Sequence, residues 1–317
     1  MSNSSPYRFP FHGWIGVLIL LTGFILVIFT TGWFIHTYFT PWMWTGYLLA
    51  ADALLARLRG RSWLWPEPSR FLSLLPVSLA LWLWFEFYNL HLRNWSYIGL
   101  PENGLLVLLG YVWSFVTIWP ALFITADLLE AFGLRAGISP VRVSKRMLTG
   151  LFFCGLIMAV VPLLLPAYLA AYTFVIVWIA YVPLCEPFAY RGRRSGGDKG
   201  SGALKEVHSL LRDLEQGILT RWLSLGVGGL VCGFLWESWN MFSTAKWIYI
   251  FPLFQNMKLF EMPLPGFLGF IPFAWEAWSM YAVVLLLGRK LWPALPGPPP
   301  FSEAEIPQKN RFRTETG

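Results

Sequence analysis

The sequence predicts an all-α, polytopic membrane protein of about eight spans, built as a 4+4 parallel internal repeat, and three observations predict it. Hydrophobic residues make up 56% of the 317 positions and charged residues only 13%, about half the charged share of a soluble domain. The apolar residues fall in uninterrupted runs near the roughly 20 residues a spanning helix needs, without the period-2 alternation of a membrane β-barrel. The third observation is a motif written twice. "LWFEFYNLHLRNWSYIGLP" (83–101) and "LWESWNMFSTAKWIYIFP" (235–252) share Glu, Asn three residues on, Trp-x-Tyr and Pro, at offsets of 151 or 152 residues.

Six runs are clear: 13–36, 104–126, 147–165, 167–187, 221–240 and 265–288. Two more, 41–56 and 71–90, are shorter or interrupted, but charge bounds them and Trp is frequent in them. Residues 1–135 thus form a first four-span unit and 136–290 a second. The repeat extends past the motifs, since "LLGYVWSFVTIW" (108–119) parallels "FLGFIPFAWEAW" (267–278), with Gly110 over Gly269 and Trp119 over Trp278. Spans 1–2 and 5–6 show no comparable likeness. Two units running in the same direction imply an axis along the membrane normal.

Charge orients the chain. With the N-terminus inside, 21 of the 24 Lys and Arg fall in inside segments, and only Arg93, Lys246 and Lys258 fall outside. That bias is the positive-inside rule, so the net charge of +7 reports topology and not a nucleic-acid partner. Both termini are expected in the cytoplasm of a bacterial inner membrane. The N-terminal residues lack a cleavage-site pattern, so the first span is expected to stay as an anchor.

Between the sixth and seventh spans, "RGRRSGGDKGSGA" reads as a flexible linker. Leu204, Val207, Leu211, Leu214 and Ile218 follow at helical spacing, which predicts an amphipathic helix within 191–220 on the inner leaflet. The tail from 291 is proline-rich and then polar, and is expected to be disordered; its "PALPGPPP" has the form of a PxxP ligand. Cys154, Cys185 and Cys232 lie in or at the ends of spans without metal-ligand spacing and read as small buried apolar residues. There is no nucleotide loop, dinucleotide fingerprint, HExxH or GxSxG, and no cofactor is expected.

Chemistry inside a membrane is sought at ionisable residues within spans. Asp52 and Asp127 lie near inner ends close to Arg57, Arg59 and Arg135, where ion pairs account for them. Glu86 and Glu237 lie near outer ends, each with Asn89 or Asn240 one turn on and so on the same helical face. They are either bundle-stabilising hydrogen bonds or two acids converging on a cavity between the halves. Glu276 follows Pro272 in what reads as the middle of the last span, where a Pro frees a carbonyl and kinks a helix. Its repeat counterpart is Thr117. Glu276 is therefore the first candidate for a working acid, ahead of Glu237 and Glu86, because a neutral carboxyl in apolar surroundings can deliver a proton. Substrate-contact candidates are Asn89, Asn240, Trp95, Tyr97, Lys246, Trp247, Tyr249 and Glu261, set in aromatic outer loops. "FEMPLPGFLG" (260–269) reads as a rigid re-entry turn, and "GVGG" (226–229) as a close helix contact.

"WSYIGLPENGLLVLL" (95–109) resembles the Trp-x-Tyr…Gly…Pro-Glu-Glu signature of the small helical lycopene cyclases, and "WIYIFPLFQNMKLFEMPLPGF" (247–267) repeats its outline. The paired acids of that family stand here as Glu102-Asn103 and a single Glu261. The resemblance implies repeated membrane-spanning units and a polyisoprenoid or lipid ligand. Three functions fit: an intramembrane enzyme acting on a lipid or isoprenoid near the outer leaflet by carboxylate acid/base chemistry, a transporter or flippase, and a membrane scaffold.

Overall fold

A computed structural model describes residues 7–65, 68–195 and 209–291. The linker, the start of the amphipathic segment and the tail lie outside these. Helices α1 (Phe11–Phe29) and α2 (Trp33–Arg59) form a hairpin. The expected first span, 13–36, ends early because the chain leaves helical geometry at Thr30. Next come α3 (Pro68–Leu92), strand β1 (Trp95–Ile98), α4 (Gly104–Phe115) and α5 (Ile118–Ala131). The second half runs α6 (Lys145–Leu164), a single turn α7 (Ala167–Ala170), α8 (Phe174–Ser195), short α9 (Leu210–Glu215) and α10 (Thr220–Phe242). It closes with β2 (Lys246–Tyr249), a hairpin of β3 (Lys258–Leu259) and β4 (Met262–Pro263), a 3-10 turn over Leu264–Gly269 and α11 (Phe270–Leu291).

Among the described residues six helical segments are long and apolar enough to cross a membrane: Phe11–Phe29, Phe71–Leu92, Gly104–Ala131, Lys145–Leu164, Phe174–Gly192 and Leu264–Gly288. This makes the chain an integral, multi-pass membrane protein. Helices α2 and α10 are also long, 27 and 23 residues, but carry more polar side chains. They bury those side chains against each other and against α5.

The segment Gly104–Ala131 is broken after Phe115, and the cause is local. Pro120 has no N–H to offer the Val116 carbonyl. Ser78 of α3 inserts its hydroxyl there, donating to the Phe115 carbonyl (2.6 Å) and accepting from the Trp119 N–H (3.1 Å). The last span departs from expectation in the opposite sense. Pro272 is the third residue of α11, where a missing N–H interrupts no helical hydrogen bond. It therefore produces no mid-span kink beside Glu276, and the irregular backbone is the 3-10 turn before it.

The GVGG contact is close. A Cβ on Gly229 would lie 2.2 Å from the Phe270 carbonyl oxygen of α11, and backbone cannot yield as a side-chain tip can. Gly229→Leu is expected to separate α10 from α11, at a cost of about 1–3 kcal/mol or more, and to lower the melting temperature in detergent by several degrees or abolish accumulation. A variant melting like wild type would mean that the two helices do not pack this closely.

At the end of the bundle remote from the strands, charges are paired inward. Asp52 accepts from Ser62 Oγ (2.6 Å) and the backbone N–H groups of Trp63 and Leu64 (2.9 and 3.1 Å), and lies 3.1 Å from His12 Nε2. Glu186 of α8 is held in the same way, by Ser209 Oγ (2.8 Å), the Leu211 N–H (3.0 Å) and Ser279 Oγ (3.0 Å). Asp127 does not pair with Arg135 as its sequence position suggested. It binds Arg221 of α10 at 2.9 Å, while Arg135 donates to backbone carbonyls. α9 packs against α8 and α10, with Leu210 and Leu211 buried. Cys185 and Cys232 are buried, but Cys154 is exposed on α6, on a helix that turns most of its surface away from the bundle.

Candidate functional site

The two motifs fold alike and meet. Asn89 accepts from the Asn94 and Trp95 N–H groups (2.8 and 3.1 Å) and donates to the Trp95 carbonyl (2.9 Å). Asn240 accepts from the Trp247 N–H (3.1 Å) and donates to the Trp247 carbonyl (2.8 Å). Each amide therefore pins a strand back onto the helix that precedes it. The strands then pair antiparallel, Trp95 opposite Tyr249 and Tyr97 opposite Trp247. Gly99 permits the turn that follows β1. Its φ is +64°, and a Cβ there would lie 2.1 Å from the Thr244 carbonyl oxygen.

Turned inward, the strand side chains find the two glutamates. Glu86 Oε1 accepts from Trp95 Nε1 (3.1 Å), Tyr97 Oη (2.5 Å) and Trp82 Nε1 (2.9 Å). Glu237 Oε1 accepts from Trp247 Nε1 (3.1 Å) and Tyr249 Oη (2.9 Å). Burial, and then the adjoining carboxylate, push the Tyr97 and Tyr249 phenols well above their ordinary value, so both remain proton donors. The donors to the two glutamates differ at one place. The residue 151 positions after Trp82 is Gly233, whose missing side chain is replaced by the Phe270 ring. Glu237 Oε1 therefore has two donors where Glu86 Oε1 has three. Separately, Glu237 Oε2 is buried with no hydrogen-bond partner.

Beside it lies a cavity of about 110 Å³, walled by α2, α4, both strands, and residues of α8, α10 and α11. Thirteen of its 26 lining residues are Trp, Tyr or Phe, so it suits an apolar ligand with few polar contacts. Glu237 and Lys246 are its charged residues. Lys246 is held by Glu261 at 2.5 Å, which leaves Glu237 as the charged group without a countercharge. Trp44 adds a second orphan: it lines the cavity, and its Nε1 is buried without an acceptor. The Trp44 ring packs 5.0 Å from Trp236 and 4.6 Å from Trp239, on either side of Glu237 in sequence.

The α2 wall is shaped by Pro41, whose missing N–H leaves the Thr37 carbonyl without its helical donor. Tyr38 leaves helical geometry at φ −110°, ψ 22°. Ser243 and Thr244 fasten the bend, Ser243 Oγ lying 2.8 Å from Thr40 Oγ1 and the Thr244 N–H donating to the His36 carbonyl at 2.7 Å.

Of the residues singled out in the sequence, Glu237, Trp95, Tyr97, Lys246, Trp247 and Tyr249 line the cavity. Glu86 lies behind it, reached through Trp82, Trp95 and Tyr97. Asn89 and Asn240 hold strands, and Glu261 holds Lys246. Glu276 is elsewhere. It is fully buried, accepts the Tyr181 N–H through Oε1 (2.9 Å), and leaves Oε2 without a partner, between α8 and α11. Asn103, at the position of an acid in the cyclase signature, caps α4 by accepting the Leu105 N–H. Trp44 and Trp82 are not legible among 19 Trp, although Trp82 and Gly233 stand just before the two motifs at the same offset of 151 residues. Among the described residues no three His, Cys, Asp or Glu side chains gather as metal ligands. No known family model, curated protein or solved structure matches the chain.

Proposed function

We propose that this is an eight-span membrane enzyme of two repeated four-helix units. Its cavity takes up the polar end and the first few carbons of a lipid or isoprenoid, the rest of the apolar chain lying outside it, and Glu237 is its acid. The observation that carries the reading is a buried carboxyl with one oxygen orphaned, belonging to a residue that lines a cavity half of whose lining residues are aromatic. An unpaired buried polar atom costs about 1–3 kcal/mol, a cost sustained readily where a ligand or reaction uses the atom. The acid would donate a proton to an alkene or oxygen of the lipid. The resulting carboxylate, held by Trp247 and Tyr249, would take a proton back as product forms.

The repeat is supported by the matched Asn and Glu hydrogen bonds of the motifs, and by the like anchoring of Asp52 and Glu186 at the other end. In this reading α2 and α10 complete the eight spans, the strands lie at the outer face, and the charge split puts both termini in the cytoplasm. The resemblance to the small helical lycopene cyclases adds support for a polyisoprenoid-like chain. The test is a comparison by mass spectrometry of lipid extracts from cells with and without the protein. One lipid class is expected to accumulate and another to disappear. Identical extracts would reject an enzyme and leave a transporter or scaffold.

A further inference from the structure

We infer that the ligand is an uncharged lipid alcohol whose hydroxyl group lies between Glu237 Oε2 and Trp44 Nε1. This rests on the reading of the cavity as a lipid site and specifies the polar end of its occupant. Two buried side-chain atoms of cavity-lining residues have no partner, an indole N–H that can only donate and a carboxyl oxygen. Trp44 packs on Trp236 and Trp239, which puts the indole beside the helical turn that carries Glu237. A hydroxyl oxygen can accept from Trp44 and, with its own proton or its second lone pair, bond to Glu237 in either protonation state. A hydrocarbon end would leave both atoms unpaired. A ketone or ester carbonyl serves Trp44 and the protonated carboxyl, but not the carboxylate left once Glu237 has given up its proton, whereas a hydroxyl serves both states.

Charge excludes the other common lipid ends. A phosphate or diphosphate would sit against Glu237, and the cavity's one basic side chain, Lys246, is already bound to Glu261 at 2.5 Å. An ammonium end would satisfy Glu237 but meet the N–H of Trp44. The cavity therefore fits a neutral chain ending in a group that both donates and accepts.

The experiment uses the full chain in lipid nanodiscs and a diazirine-bearing hexadecanol, with cross-linked peptides mapped by mass spectrometry. Excess hexadecanol, hexadecane and hexadecyl phosphate serve as competitors. Labelling is expected in peptides of α2, α4 and α10. Hexadecanol should compete at about tenfold lower concentration than hexadecane, the worth of roughly one to two neutral hydrogen bonds, and hexadecyl phosphate should compete worst. Trp44→Phe keeps the ring and removes the N–H, and should reduce the alcohol's advantage over the hydrocarbon by the share that this one bond contributes. Equal competition by alcohol and hydrocarbon in the wild-type protein would overturn this inference and leave the lipid cavity standing. So would stronger competition by the phosphate. Labelling spread evenly over the lipid-facing helices, with none competed from the cavity, would reject the lipid cavity as well. The wild-type comparison decides even if the Trp44 variant fails to fold.

Discussion

Replacing Arg221 by Leu is expected to destabilise the bundle by about 3–5 kcal/mol, because it leaves two buried carboxylates with only Arg59, 3.8 Å from Glu130 Oε2, as a neighbouring cation. Arg221 is 5% exposed, Asp127 3% and Glu130 6%. The guanidinium donates to Asp127 Oδ1 at 2.9 Å and reaches Glu130 Oε1 at 3.1 Å and Oε2 at 3.3 Å. Its carbon also lies 5.0 Å from the centre of the Trp278 ring. One planar group thus joins α10 to two turns of α5 and to α11. Arg221→Lys keeps a charge but not the fork, so an intermediate loss is expected. The triple change Arg221→Leu, Asp127→Asn, Glu130→Gln removes the stranded charges and should recover a large part of the loss. Melting curves in one detergent measure all three variants. An Arg221→Leu protein that melts with wild type would mean that water reaches this cluster, and the triple change would then recover nothing.

Little of that cluster is legible in the sequence. Helices satisfy their own backbone in lipid, so apolar runs named most of the helical segments, though α2 and α10 proved more polar and more central than their neighbours. The Glu-x-x-Asn spacing was legible because both residues share one helical face. What each Asn binds was not legible, since the partner strand lies beyond the helix end. The pairing of β1 with β2 joins residues some 150 positions apart, and nothing local encodes it. In the sequence Arg221 is one inside charge among many, and three-dimensional packing, not sequence distance, selects it for Asp127 over Arg135. Pro272 was misplaced for a related reason. A proline kinks only a helix that has already begun, and the hairpin and 3-10 turn before it shift the start of α11 to Phe270. The asymmetry of Trp82 against Gly233 lies just before the two motifs at their common offset of 151, but its meaning depends on Trp82 reaching Glu86.

Glu237→Gln is expected to leave the fold intact and to remove the function. The amide keeps an oxygen to accept from Trp247 Nε1 and Tyr249 Oη, so both strands remain docked. Its NH2 group replaces the orphaned oxygen, and an amide has no proton to transfer at the relevant strength. Loss of a general acid lowers turnover by about 10²–10⁴-fold, so cells carrying this variant should have the lipid profile of cells lacking the protein. Accumulation and melting temperature should match wild type. Glu276→Gln is the internal control. Its oxygen can still accept the Tyr181 N–H, and Glu276 does not line the cavity, so the lipid profile should stay wild-type. Glu86→Gln should do the same, because Trp82, Trp95 and Tyr97 have an oxygen to bind in either form. The reverse pattern, with normal lipids for Glu237→Gln and lost conversion for Glu276→Gln, would move the chemistry to the seam between α8 and α11. Glu276 is the other buried glutamate there with an unpaired oxygen, and the cavity would then be a place where the lipid waits and not where it reacts.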